Sequence, residues 1–129
     1  MDIPKGVNQA VIATWATLAM SAVVTTVDKR MGEISEGMFI GSLVFYGLCC
    51  IFPYKLSKGS NLTRYLFTIL TVIGYLTMLG GVTDGLTRLD LVFSVLTIPV
   101  DAFIIWRLFT GEANDWFTNK RPPALPNAR

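Results

Sequence analysis

Histidine is absent from this 129-residue sequence, and cysteine occurs only as the adjacent pair Cys49 and Cys50. Without histidine there is no imidazole for acid–base catalysis and no histidine-based metal cluster. The two cysteines lie inside an apolar stretch, where we expect them to stay reduced as small apolar side chains. The sequence therefore predicts neither a disulfide nor a metal site.

Motifs that bind phosphate or activate a nucleophile are also lacking. The chain contains no Walker loop, no G-x-G-x-x-G and no G-x-S-x-G. No basic run interleaved with aromatic residues indicates nucleic-acid binding. We therefore expect no catalytic residues, no cofactor and no nucleic-acid partner.

Charge is scarce over most of the chain. Four apolar stretches cover residues 7–27, 37–53, 65–82 and 89–109, and each is near the ~20 residues that a helix needs to cross a ~30 Å hydrocarbon core. Of the 11 basic and 9 acidic residues, only Asp101 lies well inside one of these stretches. A soluble helical bundle would place charges along every helix. The pattern predicts an all-α integral membrane protein, a single antiparallel four-helix transmembrane bundle in membrane lipid, with residues 110–129 as a tail.

The distribution of Lys and Arg predicts the orientation of the bundle. With the N-terminus inside, eight of the 11 basic residues lie on the inner side, and Lys29, Arg30 and Arg88 lie outside. An excess of basic residues marks the cytoplasmic side, so we expect both termini in the cytoplasm. The outer loops are acidic, with Asp28 in the first and Asp90 in the second. We expect these short loops to be solvated, and the alternative is that they attract a basic partner outside the membrane.

Residues at the ends of the stretches predict caps, breaks and surface anchors. We expect Ser35 or Glu36 to cap the second helix, and Asn61 or Thr63 to cap the third. Pro53 and Tyr54 should mark the inner end of the second helix. Pro99 should kink the fourth. Arg64 is expected at the headgroup level. Trp116 and Phe117 are expected to lie on the inner membrane surface as an aromatic anchor.

Small residues predict close helix packing. Ala13, Thr17, Ser21 and Thr25 form a ridge at spacing four on the first helix, and Gly37 and Gly41 form a GxxxG pair on the second. Both patterns allow helices to approach closely in lipid. We expect the glycine pair to pack within the chain, with a homo-oligomer as the alternative.

Asp101 is the costliest residue, because a carboxylate near the bilayer middle costs about 2.5–3.5 kcal/mol on insertion scales. Ser94 and Thr97 share its helical face, and depth along the helices predicts a buried polar layer in which a tyrosine or threonine hydroxyl donates to Asp101. The candidate binding residues are Asp101, Thr97, Tyr46, Tyr75, Thr71, Gly37 and Gly41. Two roles remain open for Asp101: it ties helices together, or it binds a proton, a cation or a cationic partner.

The chain contains three short segments, DIPKGVNQAVIATW, KGSNLTRYL and LFTGEANDWF. In these segments it resembles small bacterial four-helix inner-membrane proteins of unknown function. The layout is also similar to that of membrane immunity proteins, which intercept a toxin in the bilayer. The resemblance implies a multi-pass protein of the bacterial inner membrane and carries no catalytic residues.

Two functions remain after these exclusions. One is non-catalytic binding of another protein in or at the bilayer, as in toxin immunity or as an accessory subunit of a membrane complex. The alternative is a small oligomeric transporter or channel that uses Asp101 as its proton or cation site. Four helices leave little room for a pathway inside one chain, so the sequence favours protein binding.

Overall fold

A computed structural model describes residues 3–81 and 86–118, and within these ranges the chain forms helices and no strand. The helices are α1 (Lys5–Met31), α2 (Glu36–Cys49), α3 (Ile51–Ser57), α4 (Asn61–Leu79), α5 (Arg88–Leu108) and α6 (Gly111–Thr118). Four segments are long and apolar enough to cross a membrane: α1, Glu36–Ser57, α4 and α5. The prediction of an all-helical chain with four such segments is confirmed.

The second long segment is broken into α2 and α3 at Cys50. Pro53 explains the break, because it has no N–H to donate to the Cys49 carbonyl four residues earlier. The helix does not stop at Pro53 and Tyr54, however, and α3 continues to Ser57. Pro99 does not interrupt α5, which remains one helix from Arg88 to Leu108.

Two predictions about helix ends need correction. Ser35 caps α2 by accepting from the Met38 N–H at 3.2 Å, as expected, but α4 is capped by Ser60, which accepts from the Thr63 N–H at 3.4 Å. The first helix runs to Met31, beyond the apolar stretch, and ends at Gly32 with φ of 78°. That left-handed conformation suits glycine. Asp28 is therefore a helical residue.

The packed interior lies at one end of the bundle, which we call the α6 end. There the start of α1 meets α3, the end of α5 and α6, and the cluster consists of Val7, Ala10, Val11, Leu56, Ile104, Leu108, Ala113, Trp116 and Phe117. Trp116 is 7% exposed and Phe117 4% exposed. The prediction of a surface anchor was wrong, because α6 folds back and buries both rings against the helix ends.

Arg64 joins α4 to the α6 end, and it is enclosed by protein, with only 1% of its surface exposed. Its guanidinium donates to the Leu108 carbonyl at 3.1 Å and to Asn114 Oδ1 at 2.9 Å. It also stacks near the rings of Tyr65, Phe109 and Phe117. The three segments that carried the sequence resemblance thus converge at this end.

The opposite end, which we call the Asp28 end, is where α1 and α4 finish and α2 and α5 begin. Asp28 is buried there, with 1% of its surface exposed, and its Oδ2 accepts from the Thr87 hydroxyl at 2.9 Å. The prediction of a solvated Asp28 was wrong, because this hydrogen bond ties the end of α1 to the start of α5. Large apolar side chains face outward on all four long segments, among them Ile12, Leu43, Leu70 and Leu96.

Candidate functional site

Asp101 is held by α4 from across the bundle. The Tyr75 hydroxyl donates to Asp101 Oδ2, and the oxygen of Tyr75 lies 3.3 Å from Thr97 Oγ1. Thr97 also donates to the Ser94 carbonyl at 2.9 Å. Of the hydroxyls considered from the sequence, Tyr75 is the donor that reaches the carboxylate.

Tyr46 has a different partner. Its hydroxyl lies 3.1 Å from Thr25 Oγ1 and so links α2 to α1. Tyr46 and Asp101 nevertheless line the same space. The polar layer expected around Asp101 is therefore spread over the wall of a cavity.

The first cavity has a volume of about 380 Å³ and lies between α1, α2 and α5. Each helix contributes a polar stripe: Thr17, Ser21, Thr25 and Asp28 from α1, Ser42 and Tyr46 from α2, and Asp90, Ser94, Thr97 and Asp101 from α5. The spacing of three or four residues within each stripe places its members on one helix face. The small-residue ridge of α1 thus lines a polar cavity through Thr17, Ser21 and Thr25.

A second cavity of about 570 Å³ lies between α2, α4 and α5. Thr71 and Tyr75 line it from α4, and Phe45 lines it from α2. Ser94 and Asp101 belong to the walls of both cavities. Asp101 therefore stands where the two spaces meet.

Charge in the first cavity has one sign. Asp28, Asp90 and Asp101 line it, and no lysine or arginine from the described part of the chain does so. Thr87 connects two of the three, because its hydroxyl donates to Asp28 and accepts from the Asp90 N–H at 3.0 Å. A space walled by carboxylate and hydroxyl oxygens favours cations.

The acidic residues do not form a metal cluster. Among residues 3–81 and 86–118, no group of three or more His, Cys, Asp or Glu could hold a metal ion. The carboxylates are instead spread along the cavity, with Asp28 and Asp90 at the Asp28 end and Asp101 farther along α5. The arrangement suits a proton, a hydrated ion or an organic cation.

The glycine pair lies away from both cavities. A Cβ atom added at Gly37 or Gly41 would meet no described atom within 4 Å. The expectation that this pair packs a helix of the same chain was wrong, because no other helix covers that part of α2 within the described residues.

Asp28 and Asp90 are site residues that the sequence reasoning missed. A signal existed for Asp28, since it continues the spacing of Thr17, Ser21 and Thr25 along the same face of α1. Asp90 likewise shares the face of Ser94, Thr97 and Asp101. Both were assigned to loops because they lie at the ends of the apolar stretches.

Comparison with known proteins adds no assignment to this geometry. No family model, no curated protein and no solved structure matches the chain.

Proposed function

We propose that the chain is a multi-pass protein of the bacterial inner membrane with both termini in the cytoplasm. Four helices of sufficient length with outward apolar side chains support the membrane assignment. The excess of Lys and Arg on the side of the α6 end supports the orientation. In this orientation the α6 end is cytoplasmic and the Asp28 end faces outward.

Within the membrane, we propose that the protein is a small transporter or channel that binds a proton or cation at Asp101. The observation that carries this proposal is the position of Asp101 between two polar cavities. An ionisable group inside a membrane segment that faces a cavity marks ion and substrate paths. The sequence favoured protein binding because four helices leave little room for a pathway, and the two cavities support the transport proposal because they provide polar space between the helices.

Tyr75 gives Asp101 a partner that can adjust to its charge. The hydroxyl donates to an ionised Asp101 and stabilises the negative charge. When a proton or cation neutralises the carboxylate, the same hydroxyl can turn toward Thr97, whose oxygen is 3.3 Å away. Because Thr97 and Asp101 both lie on α5, Tyr75 would keep α4 joined to α5 in either state.

Flux through reconstituted liposomes tests this proposal. We expect proton or monovalent-cation flux with the unmodified protein and its loss with Asp101→Asn. Asp115→Asn is the matched control, because Asp115 is exposed on α6 and lines neither cavity. An Asp101→Asn protein that folds and carries the same flux would show that Asp101 serves structure alone.

Binding of another membrane protein is the second candidate, and the uncovered glycine pair favours it. All residues of α2 remain at least partly exposed, and Gly37 and Gly41 leave a shallow surface on which a helix can pack closely. Toxin immunity, an accessory role in a complex and a homo-oligomer are concrete forms of this function.

Substitution on the glycine face tests the second candidate. We expect Gly41→Leu to abolish recovery of a stoichiometric partner, or of a second copy, from native membranes in mild detergent. Gly47→Leu is the control, because an added Cβ at Gly47 also meets no described atom within 4 Å, and Gly47 lies on a different face of α2 and lines neither cavity. Equal recovery with both variants would remove the glycine face as the docking surface.

A further inference from the structure

Asp28 has a carboxylate oxygen that no group in the described chain satisfies. Oδ1 is buried and has no hydrogen-bond partner, while Oδ2 receives the Thr87 hydroxyl. The Thr87 hydroxyl has only one hydrogen to donate, so it cannot donate to Oδ1 as well. Protonation of Oδ1 would not solve the problem, since the new O–H would need an acceptor. A buried polar atom of this kind indicates a missing donor.

No side chain within residues 3–81 and 86–118 supplies this donor. Within the described residues, no lysine or arginine forms an ion pair with Asp28, Asp90 or Asp101. Asp28 is buried, and burying a carboxylate without a cation is costly. A positively charged ligand with N–H groups supplies both the charge and the hydrogen bonds.

The spacing of the carboxylates indicates the shape of that ligand. Asp101 follows Asp90 by 11 residues, which is about three turns and ~16 Å along one face of α5. Thr87 holds Asp28 and Asp90 together at the near end of this distance. The first cavity therefore has negative charge at two separated positions.

The wall between the two positions combines hydroxyls with apolar surface. Ser21, Ser42 and Ser94 offer oxygen atoms, and Val24, Met38 and Phe93 offer hydrocarbon and an aromatic ring. The volume of about 380 Å³ falls within the range of small-molecule sites. A methylene chain bearing amines matches this mixture better than a bare metal ion.

We propose that the first cavity binds a linear aliphatic polyamine, with one ammonium group at Asp28 and another at Asp101. The inference rests on the proposed role of Asp101 as a cation site and names the class of cation. Asp90 adds negative charge beside Asp28. The hydroxyls of the middle of the cavity receive N–H groups between the two ends.

Calorimetric titration of the purified protein in lipid nanodiscs tests the proposal. The probes are linear diamines of increasing chain length, each paired with the monoamine of the same length. We expect an optimum of chain length at which the diamine binds at least about tenfold more tightly than its monoamine, because two linked contacts reinforce each other. Asp28→Asn and Asp101→Asn should each reduce the diamine to the affinity of the monoamine.

Several results would overturn the polyamine site. These are equal affinities for diamine and monoamine, a chain-length series without an optimum, and an Asp28→Asn variant that binds the diamine normally. Sodium or potassium binding without diamine binding would also overturn it. The comparison of diamine with monoamine needs no variant, so it decides the question even if Asp28→Asn does not fold.

The flux assay separates this inference from the function on which it rests. If Asp101→Asn abolishes cation flux while diamines show no advantage, the polyamine site is wrong and the cation-transport proposal stands. If flux is independent of Asp101 but diamines bind with an optimum that depends on Asp28 and Asp101, the cavity is a binding site without transport.

Discussion

The two ends of this bundle are built in different ways. At the α6 end, apolar side chains from α1, α3, α5 and α6 form one buried cluster. Arg64 is enclosed beside it, and its two terminal nitrogens donate to the Leu108 carbonyl and to Asn114. Toward the Asp28 end, the helices are separated by two cavities with carboxylates and hydroxyls in their walls. Helices of similar composition thus produce a packed α6 end and, toward the Asp28 end, a part with cavities that we call the hollow end.

The difference indicates a division of labour along the helices. A dense interior resists change because any loss of volume or of a buried hydrogen bond is costly. A polar cavity contributes little packing, and the wall of the first one carries carboxylates with no described lysine or arginine beside them, which suits ligand binding more than stability. We infer that the α6 end maintains the fold while the hollow end carries the function, and substitutions can test each half.

A large effect is expected at Arg64. Arg64→Ala leaves the Leu108 carbonyl and the Asn114 amide without a partner and removes a cation stacked on three rings. We expect the free energy of unfolding to fall by about 3 kcal/mol, because the buried Leu108 carbonyl costs ~1–3 kcal/mol when orphaned and the stacked cation is lost as well, whereas the exposed Asn114 amide regains water. Thermal unfolding in detergent measures the change.

Two further variants make the Arg64 result specific. Arg64→Lys keeps the charge but cannot bond two acceptors in a fork, so we expect it to recover only part of the loss. Arg88→Ala removes an exposed arginine at the start of α5 and should change stability by less than ~0.5 kcal/mol. An equal loss at both positions would show that the packing around Arg64 contributes no special stability.

A pair of leucines on α5 measures the contrast between packing and exposure within one helix. Leu108 is fully buried at the α6 end, and Leu96 is 66% exposed on an outward face. We expect Leu108→Ala to cost about 3 kcal/mol, because it opens a void in a dense cluster. Leu96→Ala should cost less than ~0.5 kcal/mol. If both variants unfold at the same denaturant concentration, the α6 end is not the stabilising part of the bundle.

The sequence predicted the part of the structure that depends on local composition. Four apolar stretches correspond to the four long helical segments, one of them broken at Cys50, because helix formation and hydrophobic length are properties of each segment alone. The limits of the apolar stretches also predicted helix ends at Val27 and Pro53, which is too early in both cases. Helix geometry continues past the last apolar residue, to Met31 in α1 and Ser57 in α3.

The sequence could not predict the features that depend on distant partners. Asp28 is buried because Thr87, 59 residues later, donates to it. Arg64 is buried because Asn114, 50 residues later, accepts from it. Both were assigned to water or headgroups, since a charged residue beside an apolar stretch is normally solvated. By contrast, the face shared by Ser94, Thr97 and Asp101 follows from spacing within one helix.

A small change in stability with a large change in function is expected at Ser94, which lines both cavities. Ser94→Leu places apolar volume in the hollow end, where added side-chain atoms find room. We expect the free energy of unfolding to stay equal or to rise by up to ~1 kcal/mol, as cavity filling commonly gives. Cation flux and diamine binding should nevertheless be lost, because the leucine occupies the space next to Asp101.

Ser94→Ala separates loss of the hydroxyl from loss of space. It removes one oxygen from the cavity wall but fills nothing, so it should retain most of the binding that Ser94→Leu abolishes. Parallel unfolding and titration experiments on the two variants compare the effects directly.

A Ser94→Leu protein that is destabilised by several kcal/mol would mean that the hollow end is packed as tightly as the α6 end in the membrane. A stable Ser94→Leu protein with unchanged binding would mean that the cavities do not hold the ligand. Only a stable protein that no longer binds supports the division between a packed end for folding and a hollow end for function.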